Sequence, residues 1–147
     1  MNKLIPPLLF LICFVCMIGL TMALPQLSFI PTPWNYLGFF LMILGLSFVR
    51  KIQQLFKTEN TEIHTFKTPK KLITTDLFRF SRNPIYLGFF LTLLGWAIVL
   101  GNAAAFDGAF LFFVIAHFWY IPFEENKMET EFGQDYLDYK RKVRRWF

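Results

Sequence analysis

Six side chains in the second half of the chain carry the groups from which a binding or catalytic site is built. They are the guanidinium of Arg82, the carboxamide of Asn83, the phenol of Tyr86, the imidazole of His117 and the carboxylates of Glu124 and Glu125. All lie beside long apolar runs, and ionisable groups at a membrane boundary that face a helical bundle are candidates for function. Each has a plainer explanation. Arg82 alone could be a topology anchor, His117 a partner for a neighbouring helix, and Glu124-Glu125 a solvated helix start that favours negative charge. Their convergence is what has to be explained.

The surrounding elements bring them together. Residues 4–49 hold no Asp, Glu, Lys or Arg, and residues 83–123 hold only Asp107. The 147-residue chain is 55% hydrophobic with a mean hydropathy of +0.43, which leaves room for one domain and too little polar surface for a soluble one. A spanning helix needs about 20 apolar residues. Prolines 25, 31 and 33 divide the first run, and Gly101-Asn102 divides the second. The expectation is an all-α integral membrane bundle with four transmembrane helices at about 4–24, 33–49, 84–101 and 103–123. A loop at 50–82 and a tail at 124–147 complete the single domain. Out-and-back topology returns the last span to the level of Arg82, with His117 roughly 10 Å deeper than Glu124 at 1.5 Å per residue.

The basic residues set the orientation. Lys3, eight in 50–82 and six after Phe123 make up all 15, while the connectors at 25–32 and 101–102 have none. The positive-inside rule places both termini and the 50–82 loop in the cytoplasm. The net charge of +5 therefore faces anionic lipid headgroups, and no nucleic-acid partner is expected. A cleaved signal peptide is the rival reading of the first span, but its apolar core exceeds a usual signal core and no clear cleavage site follows.

Two further patterns have plain readings. Cys13 and Cys16 share a C-x-x-C spacing but stand within the first span without a second ligand pair, so packing is expected and no metal site. Tyr36–Gly45 and Tyr86–Gly95 repeat at an offset of fifty, each with two glycines seven apart. Close helix packing is favoured over a duplicated hairpin. From Glu124 on, Met128, Phe132, Tyr136, Tyr139 and Val143 make one apolar stripe of an interfacial helix. Lys140, Arg141, Lys142, Arg144 and Arg145 should face headgroups, and Gly133 is a place to bend.

Ser81-Arg82-Asn83-Pro84-Ile85-Tyr86-Leu87-Gly88, Glu124-Glu125, Phe132-Gly133-x-x-Tyr136-x-x-Tyr139 and Val143-Arg144-Arg145-Trp146 occur in that order. Together they resemble the isoprenylcysteine carboxyl methyltransferase and phospholipid methyltransferase superfamily, whose pattern is R-[HN]-P-x-Y-x-G, then E-E, then F-G-x-x-Y-x-x-Y. The likeness covers residues 66–147, including Lys67-Thr68-Pro69. It departs at Thr75-Asp76-Leu77, where relatives often carry Gly-Pro.

The resemblance implies S-adenosylmethionine as methyl donor, held at the cytoplasmic end of the last hairpin beneath the tail. It implies Arg82, Glu124 and Glu125 as catalytic, and Arg82, Asn83, Tyr86, His117, Glu124, Glu125 and Tyr136 as cofactor-binding. Arg82 would pair with the cofactor carboxylate, and Glu124 or Glu125 with its cationic centres. In-line methyl transfer needs no metal. A carboxylate or thiolate acceptor needs no base, whereas an amine or alcohol would need one, with His117 or a Glu as candidate.

The acceptor would be lipophilic and arrive from the bilayer: an isoprenylcysteine-like carboxylate, a phospholipid headgroup, or a small thiol or alcohol. The shortness resembles bacterial members, hence an inner-membrane protein. The tail should roof the pocket, or else serve only as an anchor. The competing functions are an NADPH-dependent membrane reductase of related fold and a non-catalytic accessory protein. The oligomeric state is not legible.

Overall fold

The computed structural model describes residues 5–59 and 71–147. Helix α1 is Pro6–Ala23, α2 is Leu37–Thr58, α3 is Pro84–Leu100, α4 is Ala103–Ile115 and α5 is Ile121–Lys142. Single 3-10 turns at Pro25–Leu27, Trp34–Tyr36 and Asp76–Arg79 fill the connections, and a π turn at Ala116–Tyr120 joins α4 to α5. Three helical stretches are long and apolar enough to cross a membrane: Pro6–Ala23, Trp34–Thr58 and Ala103–Lys142. Pro84–Leu100 is equally apolar but 17 residues long. The chain is a helical, multi-pass membrane protein. The expected start of the first span at residue 4 and the Lys67-Thr68-Pro69 stretch lie outside the described residues.

Helices α2 and α3 pack against each other with the backbones nearly touching. A Cβ on Gly45 would lie 2.5 Å from the carbonyl oxygen of Gly88, and one on Gly95 would lie 2.5 Å from that of Gly38. The two Gly-x6-Gly stretches thus face one another antiparallel, Gly38 against Gly95 and Gly45 against Gly88. Small residues permit such close approach, and van der Waals contact drives association where lipid gives no hydrophobic push. This fits the packing reading of the repeat.

α1 lies on α4, where Cys13 and Met17 are buried beside Gly108. Cys13 packs as expected, while Cys16 is exposed on the outer face. At one end, Asn102 donates to the carbonyl of Leu24 (2.8 Å) and accepts from Ala104 N–H (2.9 Å), starting α4. The N–H groups of Phe29 and Ile30 donate to the carbonyl of Gly101. The two charge-free connectors therefore meet at the same end of the bundle.

Two boundaries differ from expectation. α2 does not stop near residue 49 but continues to Thr58, so the first part of the expected 50–82 loop is helix. The apolar count ends where Arg50 and Lys51 begin, yet Arg, Lys and Gln are good helix formers and carry the helix beyond the apolar run. Likewise no break separates a fourth span from a tail at 123–124: helix runs from Ala103 to Lys142. The interruption falls instead at Gly133, with φ 51° and ψ −122°. A positive φ is costly for residues with a Cβ and cheap for glycine. The single apolar stripe expected from Met128 to Val143 is therefore cut in two, and only Tyr136 and Tyr139 among its members are fully buried.

Candidate functional site

The bend at Gly133 folds the last turns back over the start of α3. Pro84 stands at the first helical position, where its missing N–H costs nothing. This leaves Arg82 and Asn83 projecting from the preceding turn. Arg82 N–H donates to the carbonyl of Arg144 (2.9 Å). Its guanidinium donates to the carbonyls of Lys140 and Val143, each at 2.8 Å, and to Oε1 of Glu125 from Nε (3.2 Å) and Nη2 (2.8 Å). Arg82 thus caps the C-terminus of α5, where bare carbonyls and the helix dipole favour a cation.

Glu125 joins two arginines. Its Oε2 accepts from Nη2 of Arg145 at 2.7 Å, completing a triad whose side chains are 9% (Arg82), 6% (Glu125) and 31% (Arg145) exposed. Glu125 lies beyond the apolar run that ends at Phe123. Burial pushes its carboxyl upward, but the hydrogen bonds and charges of Arg145 and Arg82 outweigh this and hold it below the usual carboxylate range. It is ionised at neutral pH.

The remaining polar residues are tied to the same closure. Asn83 donates from Nδ2 to the carbonyl of Arg145 (3.1 Å), and Ser81 Oγ to the same carbonyl (3.3 Å). Tyr139 donates to the carbonyl of Phe78 (2.7 Å), which binds α5 to the Asp76–Arg79 turn. Tyr136, 3% exposed, is buried within the fold-back, and burial pushes its phenol upward. Tyr86 donates to Oε1 of Glu124 (2.8 Å) and stacks on Tyr120 at 6.2 Å between ring centroids. His117 sits in the π turn, stacked on Phe113, and its Nδ1 accepts from the indole N–H of Trp146 at 2.9 Å. A π turn inserts one residue into the helical register, and such bulges recur at functional sites.

All the residues singled out from the sequence therefore meet at one end of α3, α4 and α5, although 41 positions separate Asn83 from Glu124. Arg82, Asn83 and Glu125 hold the fold-back, while Tyr86 donates to Glu124. Arg82 was expected to meet a ligand carboxylate, but the structure gives its donors to Glu125 and to main-chain carbonyls. Arg145, expected at the headgroups, turns inward onto Glu125. Arg145 and Trp146 were not singled out as site residues. Their signal was the Val143–Trp146 motif, which ends beside the cluster.

Beside the cluster, on its other flank, an apolar cleft of about 320 Å³ is lined by Phe48, Leu77, Phe80, Pro84, Leu87, Leu91 and Trp146, with Ser81 and Phe147 at its edge. Phe80 is 73% exposed, an apolar ring turned outward in a chain made for lipid. Among the described residues, no group of three His, Cys, Asp or Glu side chains is arranged to hold a metal ion.

Comparison with known proteins places this arrangement in a family. Residues 34–135 match the phospholipid methyltransferase family. An uncharacterized protein of Haemophilus influenzae is 42% identical over 62 residues, covering 42% of this chain and 98% of that one. The protein-S-isoprenylcysteine O-methyltransferase of Saccharomyces cerevisiae is 33% identical over 113 residues, 73% of this chain and 46% of the relative. A probable protein-S-isoprenylcysteine O-methyltransferase of Oryza sativa is 30% identical over 115 residues, 74% of this chain and 58% of the relative. The chain spans about half the length of these two named relatives. No solved structure matches. The match over 34–135 takes in the Arg82–Tyr86 and Glu124-Glu125 elements, and the chain belongs to the phospholipid methyltransferase family, in the superfamily that it shares with the isoprenylcysteine carboxyl methyltransferases.

Proposed function

We propose that the chain transfers a methyl group from S-adenosylmethionine to a lipophilic acceptor at the cytoplasmic membrane face. The observation that carries this reading is the partly buried Glu124 carboxylate, which accepts from Tyr86 beside the Tyr86–Tyr120 stack. S-adenosylmethionine supplies a methyl group on a sulfonium, together with an ammonium, a carboxylate and a flat adenine. Glu124 and the aromatic rings suit its cationic centres. With Arg82 enclosed, the more exposed guanidinium of Arg145 is the suitable partner for its carboxylate. Arg82, Asn83 and Glu125 then act by fixing the roof, the segment that carries Tyr136 and Trp146. His117, also expected at the cofactor, reaches the cluster through Trp146.

The apolar cleft suits one hydrocarbon chain of the acceptor. A lipid chain could lie along Leu91 and Leu87 and bring its polar end to the level of Ser81. In this reading Pro84–Leu100 also crosses, as the third of four spans, since 17 residues reach roughly 26 Å at 1.5 Å per residue, close to the thickness of the hydrocarbon core. Both termini and the 50–82 region then share the cytoplasmic side.

The test is a thermal melt of the detergent-solubilised protein with S-adenosylmethionine, its demethylated product or NADPH. The first two should raise the melting temperature, as ligands selective for the native state do. Glu124→Ala should weaken that shift by roughly tenfold or more in ligand concentration, through the loss of a charge pair in a partly dry site. Tyr136→Ala should lower transfer of labelled methyl to lipid extracts without loss of membrane insertion. Stabilisation by NADPH alone would overturn the reading in favour of a reductase, and indifference to all three ligands in favour of an accessory protein.

A further inference from the structure

Trp146 touches both flanks of the cluster, lining the apolar cleft and donating its indole N–H to Nδ1 of His117 at 2.9 Å. An indole nitrogen can only donate. The Nδ1 that meets it must therefore carry a lone pair, and a neutral imidazole with a bare Nδ1 has its proton on Nε2. We propose that Trp146 is a positioning residue that fixes His117 in this one tautomer, so that His117 serves the site as a hydrogen-bond donor and not as a base. The inference rests on the methyl-transfer reading for its use, but the tautomer itself does not.

Both partners are held in place. The indole stacks on Phe113 at 4.9 Å and 29°, and the imidazole stacks on the same ring at 5.6 Å and 20°. Phe113 is thus a common floor for the bond. Trp146 follows Arg145, whose carbonyl takes the Ser81 and Asn83 donors and whose guanidinium is on Glu125. His117 in turn lies within the π turn, flanked edge-on by Phe118 at 4.7 Å. With both rings anchored, protonating Nδ1 would set two N–H groups head to head.

This choice of tautomer selects among acceptors. A carboxylate attacks with an oxygen lone pair. The O–C bond forms as the C–S bond breaks, the bonding pair passes to sulfur, and the sulfonium becomes a neutral thioether. Negative oxygen and positive sulfur cancel, and no proton is released. An alcohol or an alkylammonium must lose a proton at or before attack, and a locked His117 does not take it, which leaves that task to a carboxylate such as Glu124. A thiol, with an ordinary pKa of about 8.5, is mostly protonated at neutral pH and meets the same obstacle. A carboxylate acceptor thus needs no base, whereas an alcohol, a thiol or an alkylammonium would depend on the Glu124 carboxylate and not on His117.

The experiment is nitrogen NMR of the full chain in micelles, labelled with 15N histidine. The chain has two histidines, so His64→Gln leaves His117 as the single signal. At about pH 8, above the ordinary imidazole range, His117 should show a protonated Nε2 and a bare, hydrogen-bonded Nδ1 in slow exchange. Trp146→Phe keeps a ring on Phe113 and removes only the N–H, and it should give averaged tautomers at the same pH. A proton on Nδ1 in the parent protein, or an unchanged single tautomer in Trp146→Phe, would overturn the proposal. If Trp146→Phe fails to fold, the parent spectrum decides alone, a proton on Nδ1 overturning the proposal and a single Nε2–H tautomer supporting it. Because no ligand is added, a locked tautomer in a protein indifferent to S-adenosylmethionine would sink only the function, not the lock.

Discussion

Removing the Glu125 carboxylate should unlatch the fold-back. Glu125 accepts from Arg82 at 3.2 and 2.8 Å and from Arg145 at 3.3 and 2.7 Å. In Glu125→Ala two Arg82 donors lose their partner where the side chain is only 9% exposed. Breaking a buried ion pair from one side costs about 3–5 kcal/mol, most of it the stranded charge. Arg145, at 31% exposure, can turn to water and adds little. Arg82 keeps its two main-chain carbonyls, which argues for the lower end, about 3 kcal/mol. That is roughly a hundredfold rise in the open population of the last turns.

The assay is limited trypsin digestion, because Lys140, Arg141, Lys142, Arg144 and Arg145 form a run of cleavage sites within the latched segment. Cleavage after Lys142 and Arg144 should accelerate by up to the same factor, with α1–α4 intact. The carboxyl is held below its ordinary range, so its contribution is present above that range and is lost as pH falls through the lowered value. Glu125→Gln at neutral pH should imitate the acid state. Digestion of Glu125→Ala at the parental rate would refute the latch.

Three other outcomes follow from the same geometry. In Gly88→Ala the new Cβ would lie 2.7 Å from the carbonyl oxygen of Gly45 and 2.9 Å from Val49, so α2 and α3 must part; about 1–3 kcal/mol should be lost, read as a fall in melting temperature. Gly133→Ala meets no neighbour within 4 Å, so its cost is conformational alone, about 1–3 kcal/mol, and should appear as faster tail proteolysis with unchanged global melting. Reporter fusions at residues 28, 66 and 147 should read outside, inside and inside, and an outside signal at 147 would contradict the four-span topology.

The gathering of Arg82, Asn83, Tyr86, Glu124 and Glu125 was legible because apolar run lengths and charge placement fix which helix ends lie level in a bilayer. The division of labour among them was not. Charge alone does not say whether Arg82 meets a ligand or a helix end; that depends on where the chain goes after Gly133. The glycine marked a possible bend, but no periodicity specifies the direction of a kink at positive φ. Arg145 could not be told from Arg144 for the same reason, since adjacent residues in a cationic run face opposite ways only once the fold-back is known. The continuation of α2 to Thr58 was hidden because hydropathy measures the membrane, not the helix.

The glycine contacts between α2 and α3 also act as a gauge of depth. Gly38–Gly95 and Gly45–Gly88 must engage together, and a slip of seven residues would leave only one pair in contact while driving larger side chains into the seam. α3 therefore has a single permitted height against α2. Counting from the Gly45–Gly88 contact, Arg50 lies five residues along α2 and Arg82 six residues back from Gly88, in the same spatial direction. At 1.5 Å per helical residue these are roughly 7.5 and 9 Å. Helix α2 thus sets the level of the site, with Arg82 at nearly the depth of the first cation of α2. Lengthening α2 by a turn between Gly38 and Gly45 would let only one glycine pair engage at a time, and so unfix the height of the chemistry without altering any residue that performs it.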